Sequence, residues 1–69
     1  MNKLQNNHIQ RQIKTIENSS WSDETRLRAY CFLAGYLDAL LEAGVILKGH
    51  VYLNKLDELE DLISKKMGV

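Results

Sequence analysis

Proline is absent from this 69-residue chain, and glycine occurs only at positions 35, 44, 49 and 68. Nothing therefore interrupts a helix from inside, and the glycines supply most of the punctuation. A single cysteine, Cys31, excludes an internal disulfide. His8 and His50 lie far apart, with no cysteine or carboxylate at ligand spacing, so no metal is expected. Neither sign of charge is in excess, since nine basic residues balance nine acidic ones. That balance disfavours nucleic acid as a partner, because such a partner normally calls for a basic face. The segment Met1 to Lys14 is polar and rich in Asn and Gln, unlike a signal peptide. The longest apolar stretch, residues 29–47, contains Asp38 and Glu42. Two acids near the middle of a span cost several kcal/mol in lipid, so no membrane segment is expected and a cytoplasmic location is.

What remains is one small domain over residues 1–69. A chain this short buries only about 60% of its unfolded surface and holds a marginal core. With no disulfide or metal to help, self-association is the expected reinforcement. Residues 1–35 carry five basic against three acidic residues, and residues 36–69 four against six. This mild dipole permits head-to-tail pairing without requiring it.

The pattern predicts an all-α fold, a small three-helix domain with helices over about residues 4–18, 22–43 and 50–67. Helices 2 and 3 would form a hairpin, and helix 1 would be a weakly amphipathic addition. In helix 1, Ile9, Ile13 and Ile16 recur at steps of four and three and share one face. Asn18, Ser19 and Ser20 end it. Helix 2 opens on Ser20 or Ser22 as cap, with Asp23 and Glu24 at the positive end of the dipole. Ser20 and Asp23 also have capping-box spacing. Glu24 stands four residues before Arg28, in the favourable order for an ion pair. Gly44 suits the left-handed residue past the helix, with Val45 folding back on Leu40.

Helix 3 carries an apolar stripe of Leu56, Leu59, Ile63 and Met67, extended by Tyr52 if it starts early. Asn54 is a suitable cap, and Lys65, Lys66 and Gly68 mark the end. Residues 45–53 admit two readings, a tiny hairpin turning on Lys48 and Gly49 or a tight connection entering helix 3 near residue 50. Lys-Gly is a poor hairpin turn and an isolated hairpin is marginal, so the connection is favoured.

Helix 2 is apolar nearly all round, as a central helix should be. Its polar strip is narrow: Glu24, Arg28, Gly35, Asp38 and Glu42. Tyr30, Leu33, Ala34, Leu37, Leu40 and Leu41 point one way, and Phe32, Tyr36, Ala39 and Ala43 another. Gly35, Ala39 and Ala43 recur every four residues and allow close approach of another helix. Either helix 1 or 3 covers this second face, or another molecule does. The candidate protein interface is therefore Phe32, Gly35, Tyr36, Ala39 and Ala43, with Asp38 and Glu42 as an acidic edge and Trp21 beside it. Trp21 would otherwise plug the base of the bundle. Cys31 reads as a small apolar filler, and His8 falls on the polar side of helix 1.

No catalytic constellation and no cofactor motif is found, so a non-enzymatic role is expected. The favoured reading is a protein-binding regulator, inhibitor or adaptor acting through helix 2 as a homodimer. The alternative is a dimeric DNA-binding regulator, since helix 2, the Gly44 turn and helix 3 outline a helix-turn-helix. Against it, the turn is followed by Val45, Ile46 and Leu47, and the next helix opens acidic instead of polar or basic.

Overall fold

A computed structural model describes the backbone of residues 1–67 and the side chains of residues 1–65. Three helices account for nearly all of it: α1 (Lys3–Glu17), α2 (Asp23–Glu42) and α3 (Val51–Met67). The places expected for Lys66, Met67 and Gly68 lie outside the described side chains or residues. No described residue is in a strand, so the hairpin reading of residues 45–53 is not realised.

Local chemistry explains each boundary. Asn2 and Gln5 form a reciprocal capping box that starts α1 one residue earlier than its periodicity suggests. The Gln5 amide donates to Asn2 Oδ1 (2.8 Å), and the Asn2 amide donates to Gln5 Oε1 (3.0 Å). Past the other end, Asn18 Oδ1 accepts from both the amide and the hydroxyl of Ser20. Ser20 is thereby occupied, and its capping box with Asp23 does not form. Ser22 caps α2 instead, its hydroxyl oxygen accepting from the Thr25 amide at 3.2 Å.

The C-terminus of α2 is a Schellman motif. Gly44 is left-handed (φ 76°), its amide donates to the Leu41 carbonyl, and the Val45 amide donates to the Leu40 carbonyl at 2.9 Å. The chain folds back as expected, but Ile46 and not Val45 enters the core. Gly49 (φ 85°) makes the second turn. The Tyr52 amide then donates to His50 Nδ1, so the start of α3 is served by His50, and Asn54 lies inside the helix.

The core is built on α2. Leu33, Leu37 and Leu40 meet Ile9, Ile13 and Ile16 from one flank and Leu59 and Ile63 from the other. α1 and α3 touch α2 far more than each other. Two polar links join the flanking helices: the Tyr52 hydroxyl with Gln10 and Asn6, and Lys55 Nζ with Glu17 at 2.7 Å.

One charged side chain is also in the core. Arg26 is 3% exposed, and its Nε donates to the Ile16 carbonyl at 2.7 Å. That carbonyl is in the last turn of α1, where no amide of the helix can reach it and the dipole is negative. Asp23 stands 4.0 Å away and is largely exposed, so the carbonyl is the principal partner. Arg26 lies three, seven and eleven residues before Ala29, Leu33 and Leu37, on the buried stripe of α2.

Two predictions follow from this packing. Arg26→Ala strands the carbonyl and leaves a cavity, and should cost about 2–3 kcal/mol in urea unfolding. Arg26→Met, which refills the volume without the donor, should cost measurably less.

The second concerns alkaline pH. Lys55 is pushed above its ordinary 10.5, first by its hydrogen bond to Glu17. Tyr30, half-buried on α2, is pushed above 10.0 by burial and then by Glu60 and Asp57 of α3. Both groups hold their protons more tightly when folded. Their contributions are complete below pH 10 and are lost as pH rises through the raised values. Urea midpoints should hold up to about pH 10 and fall as pH rises beyond it, and Glu17→Gln should shrink the lysine share of that fall.

Candidate functional site

α1 and α3 leave one side of α2 bare. At about 100° per residue the uncovered arc runs through Leu27, Asp38, Cys31, Glu24, Glu42, Gly35, Arg28, Ala39, Phe32 and Ala43, all exposed. Its centre is apolar and its ends are charged. Near the N-terminal end, Glu24 and Arg28 form the expected ion pair at 3.1 Å, open to solvent. Toward the other end, Asp38 and Glu42 find no basic partner among the described residues.

The proposed interface residues divide accordingly. Phe32, Gly35, Ala39, Ala43, Asp38 and Glu42 do lie together on the bare side. Phe32 is 56% exposed, a large fraction for a phenylalanine held on a helix. Tyr36 marks the edge and is half-buried. Trp21 does not belong to this surface and is no plug. It is half-exposed and lies across the outer side of α1. The end of the α1–α2 junction holds Arg26 and Ile16 instead.

Two further side chains lie elsewhere than their sequence positions suggest. His8 does not sit among the polar residues of α1; it packs against the rings of Phe32 and Tyr36, with centroids 5.2 and 4.9 Å apart. One turn after Leu4 and one before Gln12, it lies at the α2 border of α1, a flank that periodicity alone counts as polar. Its Nε2 is buried with no hydrogen-bond partner among the described residues. Cys31 is exposed on the bare arc and fills no core space. Leu27 also joins the surface, and its place one turn before Cys31 is the signal that marks it.

Gly35 is the most informative position. It sits in the middle of a 20-residue helix, where glycine costs about 1 kcal/mol relative to alanine. A Cβ built there meets nothing within 4 Å. No contact among the described residues requires the missing side chain.

Beside this arc, a shallow depression of about 270 Å³ runs between α1 and α2, bordered by Phe32, Ala29, Arg28 and Gln12. Among the described residues, no three His, Cys, Asp or Glu side chains converge as a metal site. No helix over the described residues is long and apolar enough to cross a membrane.

The unpaired His8 nitrogen generates a prediction of its own. His8→Phe keeps a ring against Phe32 and Tyr36 and removes a buried polar atom. Thermal or urea unfolding should show a gain of about 1 kcal/mol.

Comparison with protein families, with curated proteins and with solved structures gave no match. The functional reading accordingly rests on the geometry of this surface.

Proposed function

We propose that this chain is a non-enzymatic, protein-binding regulator of the inhibitor or adaptor kind, working in the cytoplasm and docking through the bare side of α2, which also forms a homodimer. The observation that carries this reading is Gly35 together with Phe32: a helix-weakening glycine with open space above it, one turn from a phenylalanine left more than half in water. Two copies crossing near Gly35 would bring the backbones close, bury both Phe32 rings and let Ala39 and Ala43 pack without obstruction. Association of this kind also offsets the marginal core of a small chain.

The charges at the ends of the arc favour a two-fold arrangement. Antiparallel copies place Arg28 of one chain toward the acidic end, Asp38 and Glu42, of the other. Such rim charges set orientation more than affinity. The helix-turn-helix alternative gains no comparable support. Asp57, Glu58, Glu60 and Asp61 are all exposed on α3, so the helix meant to read DNA would turn acids toward phosphate.

Light scattering after size exclusion tests the proposal over a concentration series. The wild-type chain should shift from monomer to dimer as concentration rises. Gly35→Leu has room within the monomer, so its helicity should hold or rise while dimerisation is abolished. Phe32→Glu should likewise give a folded monomer. A wild-type chain that stays monomeric at millimolar concentration would sink the idea.

A further inference from the structure

The outward face of α1 is a different kind of surface. Lys3, Asn7, Arg11, Lys14 and Asn18 recur at steps of three and four, and all are exposed. No acid interrupts them. Glu17 is the one acid on α1, and it turns aside to Lys55 of α3 at 2.7 Å. Arg11 and Lys14 form no ion pair among the described residues. The chain's overall neutrality thus conceals an acid-free basic strip, with most of the balancing acids on α2 and α3.

Trp21 gives this strip its shape. The turn after α1, held by the Trp21 amide donating to the Asn18 carbonyl (3.3 Å), returns the indole to the outer side of the helix. Together they enclose an open groove of about 430 Å³ lined by Asn7, Gln10, Arg11, Lys14, Asn18 and Trp21. Two free cations, the Asn7 amide and one half-exposed aromatic plane border a space of roughly nucleotide size, while Gln10 is bonded to Tyr52 and Asn18 to Ser20. Each component matches part of a nucleotide: cations for the phosphate, the Asn7 amide for a base edge, and the indole as a stacking platform.

We propose that this groove binds single-stranded nucleic acid, with phosphate on Arg11 and Lys14 and an unstacked base against Trp21. A duplex fits less well, because its stacked bases cannot present a face to the indole. An acidic peptide would satisfy the two cations but leave the indole unused. The site shares no side chain with the bare arc of α2, so the two proposals can fail separately.

Trp21 is the sole tryptophan, so its fluorescence reports directly on the groove. The full chain is titrated with a short oligothymidylate and with oligouridylate at several salt concentrations, and strand binding is followed independently by anisotropy. Expected are quenching of Trp21 and a slope of log K against log salt near −1.4, about 0.7 for each of two phosphates. The Arg11→Ala, Lys14→Ala double variant should lose binding while keeping its helical circular dichroism. Trp21→Ala should weaken anisotropy-detected binding by about fivefold or more, and Trp21→Phe by less.

Thymidine monophosphate, a duplex of equal length and polyglutamate provide the contrasting arms. The proposal is overturned if no strand binds at low salt, or if the double variant binds as well as the wild type. It is equally overturned if the mononucleotide or the duplex matches the strand, or if polyglutamate displaces it.

Discussion

Arg26 joins the end of α1 to the beginning of α2, and the placement of every other surface depends on that join. A helix terminus buried against a neighbour needs a donor for its last carbonyls. Here a guanidinium from ten residues downstream supplies one to Ile16. The bond sets the angle at which α1 returns along α2, brings the three isoleucines onto Leu33 and Leu37, and fills the junction. One buried cation therefore closes the junction of α1 and α2 beside the apolar core.

The second constraint is one of coverage. α1 and α3 flank α2 and are joined to each other by little more than the Tyr52 and Lys55 contacts. Two flanking helices cannot enclose a third, and the remaining sector of α2 faces water. Its occupants are small or apolar at the centre, where burial by a partner is cheapest, and charged toward the ends. The outer face of α1 faces water too, but with amides and cations, which water solvates well. The same open arrangement thus yields two surfaces of opposite chemistry, one suited to apolar packing and the other to an anionic ligand.

Much of this was readable from residue patterns. The three helices, the left-handed Gly44, the Glu24–Arg28 pair and the grouping of Phe32, Gly35, Ala39 and Ala43 all follow from spacing and local hydrogen bonding. The misplacements have a common cause. Trp21, His8 and Cys31 each carry a local signal for one environment and take another in the packed structure. Residue type put Trp21 and Cys31 inside, and helical periodicity put His8 outside. Position on the packed helices decided otherwise in all three cases, and it also buried Arg26. The Asn2–Gln5 box and the His50 contact were missed for a milder reason, since both depend on a single side chain accepting one backbone hydrogen bond.

Helix identity, turn chemistry and the apolar stripes are thus properties of the chain itself, because they depend on neighbours within about four residues. Which stripe is covered, which is bare and where the indole lies are not encoded at that range. Those outcomes depend on how α1 and α3 share the circumference of α2. That division is governed by a hydrogen bond and a hydrophobic core linking residues ten to fifty positions apart.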